Sequence, residues 1–277
     1  MTASTSTRPP PGGARSEPQA SEAREFEGKV VLVTGGGGGC IGGPTAMFFA
    51  QQGAHVVSCD MHERRLREWA ERIRKETGAT VLDFHLDIAE RDKVARMIEE
   101  TERALGPVDV LVANACENKL GKIVSYSVDD WDRTIDVTLS ANFRLARHVL
   151  PKMVERRSGN IIHVASIAAW MGDPNPRDGE PAYAAAKAAL LSLTRNIASE
   201  VGPAGVRCNA IALGLIWSRF VEKFESQFRP MIEATPLRRY GRTDDVIECI
   251  AFLASDRRSG FITGESINVS GGFYMRP

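Results

Sequence analysis

Lys29-Val30-Val31-Leu32-Val33-Thr34-Gly35-Gly36-Gly37-Gly38-Gly39-Cys40-Ile41-Gly42 is the stretch that decides how this chain folds. Its first part is a short, β-branched apolar run, the pattern of a buried parallel strand. After the glycines comes Pro44-Thr-Ala-Met-Phe-Phe-Ala-Gln-Gln-Gly53, which reads as a helix closed by glycine. Strand, tight turn and helix N-terminus in that order make an anion cradle. Backbone without Cβ atoms lets a pyrophosphate approach, and the free amides and helix dipole favour its charge. A flexible glycine linker would have no reason to stand between a strand and a helix.

The next strand, His55-Val-Val-Ser-Cys59, ends in Asp60, where the adenosine ribose of a bound dinucleotide should lie. A carboxylate there accepts hydrogen bonds from both ribose hydroxyls and repels a 2′-phosphate, so the expected cofactor is NAD rather than NADP. Arg64, Arg65 and Arg67 follow closely and could receive that phosphate. They alternate with Glu63, Glu68 and Glu71, which reads as a solvated helix face laced by i,i+4 ion pairs.

Further along stands Tyr183-Ala-Ala-Ala-Lys187. Oxidising an alcohol requires a base at its hydroxyl as hydride leaves the carbon, and a free phenol with a pKa of about 10 is not anionic at neutral pH. A lysine four residues on, along the same helical face, brings an ammonium near the phenolic oxygen and favours the phenolate. Ser166 ends a strand upstream. With a dinucleotide cradle in the same chain, Ser166, Tyr183 and Lys187 read as a catalytic set.

Taken together these residues resemble the short-chain dehydrogenase/reductase family, and the likeness runs from Phe26 to Tyr274. Asp87-Ile88, Val110-Leu-Val-Ala-Asn-Ala-Cys116, the helix from Trp131 to Met153, Ile161-Ile-His-Val-Ala-Ser166, Tyr183/Lys187, Cys208-Asn-Ala-Ile-Ala-Leu-Gly214, Thr263-Gly264 and Gly271-Gly272 follow in family order. The resemblance implies a single-domain α/β fold, a Rossmann-like doubly wound parallel sheet with helices on both faces. The alternating strand and helix patterns agree with it. It implies cofactor contacts at Gly35, Gly39, Cys40, Ile41, Gly42, Asp60, Asp87, Ile88, Asn114, Tyr183, Lys187, Ile216 and Ser218. By analogy it also implies a homotetramer paired through the helices Trp131 to Met153 and Ala182 to Val201.

The chain departs from the family at several positions. The glycine loop is one residue longer: either it bulges or Cys40 replaces the middle glycine. Cys116 stands where the family has glycine, and Leu213 replaces a proline. Thr138 occupies the place of the family's catalytic asparagine, which is thought to anchor a proton-relaying water. Thr138 is read as an altered relay position, with Asn142, one turn later, as a structural partner.

The composition is that of an ordinary soluble domain: 277 residues, formal net charge +0 and 43% hydrophobic residues. There is no basic field for nucleic acid and no apolar stretch of membrane-spanning length. Five cysteines, an odd number in or beside core elements, suit a reducing, cytoplasmic setting. No metal is assigned. Residues 1–25 read as a disordered tail, too poor in apolar side chains to order a backbone, and residues 26–277 as the catalytic domain.

Substrate identity falls to two variable segments. One is Ala168 to Pro181, between Ser166 and Tyr183. The other, about 215–236, reads as a substrate lid that carries Trp217, Phe220, Phe224 and Phe228 at helical spacing. With Trp170 and Trp217 as wall residues, the expected substrate is a medium-sized apolar alcohol or ketone: cyclic, terpenoid, steroidal or an acyl thioester. A 3-oxoacyl-thioester reductase and a dinucleotide-binding regulator without turnover are the alternatives.

Overall fold

The computed structural model of the chain describes residues 24–172 and 179–275. The tail read over residues 1–25 lies outside these as far as residue 23, as do residues 173–178 of the segment between Ser166 and Tyr183. Seven strands, β1 Val30–Thr34, β2 His55–Asp60, β3 Val81–His85, β4 Val110–Ala113, β5 Gly159–Ser166, β6 Val206–Leu213 and β7 Ser266–Val269, form one sheet in the order β3-β2-β1-β4-β5-β6-β7. Every pairing is parallel. This is the expected doubly wound sheet.

Successive side chains of a strand face opposite sides, so a strand buried on both faces reads as continuously apolar. β1 shows this directly. Val30 and Leu32 join a core with Val94, Met97, Leu145, Val149 and Ile197 from helices α3 Arg91–Leu105, α5 Ala141–Glu155 and α6 Pro181–Val201. Val31 and Val33 join a second core with Phe49, Ala70, Ile73, Val246 and Ile250 from α1 Gly42–Gln51, α2 Glu63–Thr77 and α9 Thr243–Ala254. The chain moves outward from β1 to β3, then returns to place β4 on the other side of β1. That reversal opens a crevice at the carboxyl ends of β1 and β4.

Two helical expectations are corrected. The helix read from Trp131 to Met153 begins earlier, as α4 Val128–Ile135, because the Ser127 hydroxyl caps it by accepting from the Asp130 amide. It is then interrupted by a π-helical turn, Asp136–Ser140, before α5 resumes. The aromatic stripe of the lid does not share one helix either. The segment breaks at Phe224 (φ −117°, ψ 25°), between α7 Arg219–Lys223 and α8 Glu225–Ala234. Phe228 and Trp217 pack with Val221, Ile232 and Tyr240, and the ammonium of Lys223 sits 5.3 Å from the centroid of Phe224. Among the described residues no helix is long and apolar enough to cross a membrane.

Candidate active site

The crevice holds a cleft of about 1480 Å³, lined at one end by Asp60, Arg65, Asp87 and Ile88, in the middle by the glycine loop, and at the other end by Asn114, Cys116, Asn118, Trp217 and Ser218. That is larger than a drug-sized pocket of roughly 300–1,000 Å³ and long enough for an extended two-part ligand.

Close approach explains the glycines. A Cβ at Gly42 would stand 2.0 Å from the carbonyl oxygen of Gly35, and one at Gly36 would strike the Ser58 hydroxyl at 1.6 Å. Gly39 is different: it is exposed, and nothing lies within 4 Å of a Cβ there. The loop therefore accommodates its extra residue at this open tip. The Cys40 side chain turns toward the segment after β6, its thiol donating to the Trp217 carbonyl oxygen at 3.2 Å. Burial raises the pKa of this thiol, opposed by a hydrogen bond with Thr243. Among the described residues no acceptor is supplied to the amides of Gly39, Cys40 and Ile41, which leaves donors free at the start of α1.

Asp60 ends β2 beside this loop. Its Oδ2 accepts from the Gly37 amide at 2.9 Å and its Oδ1 from the His62 amide at 2.8 Å. Burial pushes its pKa up, opposed by the Gly37 amide and by the charges of Arg65 and His85. Arg64 and Arg67 make the expected i,i+4 pairs with Glu68 and Glu63 at 2.7 Å. Asp87 is held at both oxygens, Oδ1 by the Ala89 amide at 2.9 Å and Oδ2 by Arg133 at 2.6 Å. Arg133 also donates to Glu117 at 2.8 Å, so one guanidinium joins the far end of the cleft to the loop after β4. No local pattern pairs residues so distant in the chain, and sequence reasoning missed Arg133 and Glu117.

Asn114 lines the cleft while tying the strand ends together, its Nδ2 donating to the Thr34 carbonyl oxygen at 2.9 Å. The Thr34 hydroxyl accepts from the amides of Asn114 and Ala115, both at 3.0 Å. Thr34 is thus a second anchor that the motif reading passed over.

Beside the cleft-lining Cys116, Ser166 at the tip of β5 and Tyr183 on the first turn of α6 are joined by a side-chain hydrogen bond. Ser166 is itself fixed, its oxygen accepting from the Ala168 amide at 3.2 Å. Lys187 follows one turn later. It is 1% exposed, its Nζ lies 5.3 Å from the centroid of the Tyr183 ring, and it donates to the Val164 carbonyl oxygen at 2.5 Å. Burial drives the Tyr183 phenol well above its ordinary pKa. The neighbouring Cys116 and Glu180 add to this, and the Ser166 bond opposes it. Burial lowers the Lys187 pKa, opposed by the same Cys116 and Glu180. The phenol is therefore neutral at physiological pH. The lysine faces the strand backbone from beneath the ring.

Thr138 lies in the π-helical turn, fully buried, and its hydroxyl bridges the backbone of Glu117. Asn142 donates from Nδ2 to the Thr138 carbonyl oxygen at 2.7 Å. Ser218 lines the cleft and caps α7 by accepting from the Val221 amide at 3.2 Å. Ile216 is placed otherwise: its side chain belongs to the core and its backbone bridges Gly241. Of the two tryptophans, Trp217 lines the cleft and meets Tyr240 edge-on at 5.0 Å. Trp170 stacks on Tyr274, with ring centroids 5.3 Å apart and 7° between planes.

The chain is similar to known proteins. The profile of the family described as enoyl-(acyl carrier protein) reductase matches residues 38–274. The chain is a short-chain dehydrogenase/reductase. It is 34% identical over 251 residues to the 3-oxoacyl-(acyl-carrier-protein) reductase FabG of Thermotoga maritima, covering 90% of this chain and 99% of that one. The structure of levodione reductase superimposes with a TM-score of 0.82 at 30% identity, covering 89% of this chain and 98% of that one. NAD+-bound xylitol dehydrogenase superimposes with a TM-score of 0.83 at 29% identity, covering 90% of this chain and all of that one. This is an oxidoreductase family.

Proposed function

We propose that the chain is an NAD-dependent oxidoreductase interconverting a secondary alcohol and a ketone, with Tyr183 as the acid/base. The observation that carries this is the Ser166–Tyr183 hydrogen bond with the Lys187 ammonium beneath the ring, next to Cys116 in the lining of a cleft large enough for a dinucleotide. The residues fit the cofactor. Free amides at Gly39, Cys40 and Ile41 suit a pyrophosphate, and Asp60 suits two ribose hydroxyls. NAD, when bound, would supply the hydride acceptor for oxidation and, in its reduced form, the hydride donor for reduction.

In the ketone-to-alcohol direction the neutral Tyr183 phenol gives its proton to the carbonyl oxygen, while the Ser166 hydroxyl holds that oxygen in place. In the oxidative direction the phenolate takes the alcohol proton, and Lys187 stabilises the anion. Burial alone disfavours that anion, so oxidation depends on the positive charges gathered around the ring. Thr138 acts by fixing the loop that carries Cys116 and Glu117 against the π-helical turn.

A medium-sized alcohol or ketone with an apolar body suits the Trp217 wall, with the segment of residues 215–236 as its cover and Trp170 as an outer wall. The likeness to FabG supports a second reading, reduction of a 3-oxoacyl thioester. A homotetramer in the cytoplasm is the expected setting. The test is formation of NADH and NADPH by the purified protein across cyclic, aromatic and long-chain secondary alcohols. Turnover with NAD upholds the reading; bound NAD with no turnover of any alcohol or oxoacyl thioester overturns it in favour of a dinucleotide-binding regulator.

A further inference from the structure

The strand fixes the backbone of Ser166 and leaves its hydroxyl to rotate until something bonds it. The Ala168 amide does so, donating to the Ser166 Oγ at 3.2 Å. That amide belongs to a 3₁₀ turn, Ile167–Ala169, which closes where the Trp170 amide donates to the Ile167 carbonyl oxygen at 3.0 Å. A single 3₁₀ turn has poor hydrogen-bond geometry of its own, so its place is set by what packs around it. The Trp170 indole packs against Ala165, Leu191, Ala210 and Ala212. It also lies nearly parallel to the Tyr274 ring, with centroids 5.3 Å apart.

Tyr274 reaches Trp170 from the far end of the chain. After β7 the backbone turns through Gly271 (φ 62°) and Gly272 (φ 86°), in the left-handed region that favours glycine. A Cβ on either would stand 2.9 Å from the end of the lid, from Thr235 Cγ2 at Gly271 and from Pro236 Cγ at Gly272. The Gly271 carbonyl oxygen accepts from the Leu237 amide at 3.1 Å. The Tyr274 carbonyl oxygen accepts from Asn268 Nδ2 and Ser270 Oγ, both at 3.3 Å. The C-terminal turn is thus seated on its own contacts and presents one aromatic ring to the segment that follows Ser166. Aromatic pairs favour particular orientations and contribute beyond the area they bury.

Building on the oxidoreductase reading, we infer that Tyr274 is a positioning residue for Ser166. Stacked on Trp170, it holds the Ile167–Ala169 turn, and through the Ala168 amide the turn orients the Ser166 hydroxyl toward the reacting oxygen. Tyr274 touches neither substrate nor cofactor in this role. Its loss acts on the chemical step and leaves NAD affinity alone.

The experiment is a double-mutant cycle on kcat, read with the alcohol of highest turnover, in wild type, Tyr274→Ala, Ser166→Ala and the double variant. An aromatic pair is worth about 2- to 12-fold. Y274A should lower kcat by that factor, with substrate KM and NAD affinity unchanged. In the Ser166→Ala background the same substitution should alter kcat by less than about twofold. Tyr274→Phe, which keeps the ring, should restore turnover, and Tyr274→Leu, which keeps bulk without the stack, should behave as Y274A. An equal loss in both backgrounds, no loss in wild type, or a raised KM at unchanged kcat, the mark of a plain wall residue, would overturn the inference. Hydrogen exchange of the peptide carrying Ala168 and Trp170 is followed on the same samples and decides wherever turnover is too slow to compare. Faster exchange in Y274A and Y274L than in Y274F supports the assignment, and equal rates refute it. If the wild type turns over no alcohol or ketone, the oxidoreductase reading fails separately, and exchange still decides whether Tyr274 holds the turn.

Discussion

The Thr138 hydroxyl both donates to the Glu117 carbonyl oxygen, at 3.1 Å, and accepts from the Glu117 amide, at 3.0 Å. A hydroxyl does here what a side-chain amide does equally well, supplying one donor and one acceptor to a loop backbone. Thr138→Val keeps the shape and leaves both Glu117 groups without their partner. A buried polar group so orphaned costs about 1–3 kcal/mol, which for a chain of this size lowers Tm by about 2–4 °C per kcal/mol. We expect lower Tm and lower kcat with NAD affinity little changed, and rescue by Thr138→Ser. Unchanged turnover would remove Thr138 from the mechanism.

Asp60 sets the cofactor preference in this account. Asp60→Ser removes the charge that repels a 2′-phosphate and leaves Arg65, which bears on Asp60 and lines the same part of the cleft. The ratio of kcat/KM for NAD over NADP is expected to fall by about 10- to 100-fold, the worth of a charge-assisted hydrogen bond. An unaltered ratio would show that the ribose is read elsewhere.

Cys116 is the exposed thiol of the five, whereas Cys59 and Cys208 are buried, and burial pushes the Cys59 thiol up to about 12. Iodoacetamide should therefore label Cys116 first and abolish activity in step with labelling, with bound NAD slowing both. Mass spectrometry of the labelled peptide checks this. Because a negative charge at Cys116 raises the Tyr183 pKa, Cys116→Gly should move the alkaline rise of the oxidation rate to lower pH. A shift upward, or labelling without inactivation, would contradict the placement.

His163 lies fully buried on β5, its Nδ1 2.8 Å from the Thr194 hydroxyl. That hydroxyl donates to the Leu190 carbonyl oxygen, so it accepts from His163 and fixes the neutral Nδ1–H tautomer. Burial, with help from the Lys187 charge, pulls the His163 pKa from 6.5 down to about 3. Below pH 6.5 the unfolded chain takes up a proton that the folded chain refuses. Its contribution to stability is therefore complete above that pH and lost as pH falls toward 3, at up to about 1.4 kcal/mol per pH unit. Urea unfolding at successive pH values should show a shallower acid slope for His163→Asn than for wild type. Equal slopes would mean that His163 is protonated in the folded protein.

Much of this was legible because the decisive signals are local. The β1 run, the glycines after it, Asp60 at the end of β2 and the Tyr183–Lys187 spacing each state a backbone geometry or a helical face within a few residues. What escaped was set by tertiary contact. Nothing near Arg133 announces Asp87, 46 residues away, and nothing near Asn118 announces Glu180, 62 residues away. The break at Phe224 defeated a periodic aromatic pattern because Trp217, Val221, Tyr240 and Ile232 form a small core of their own that two short helices fill better than one. Ile216, three residues past the end of β6, packs its side chain into the core beside Leu213.

The central claim is that Tyr183 moves the proton in a hydride-transfer reaction, and it is tested most directly by NADH formation in wild type and Tyr183→Phe, with NAD affinity measured on the same samples. Phenylalanine keeps the ring over Lys187 and removes only the hydroxyl that meets Ser166. The account predicts kcat lower by about 100-fold or more, within the range general acid–base catalysis supplies, at unchanged NAD affinity. Turnover within a few-fold of wild type would contradict it.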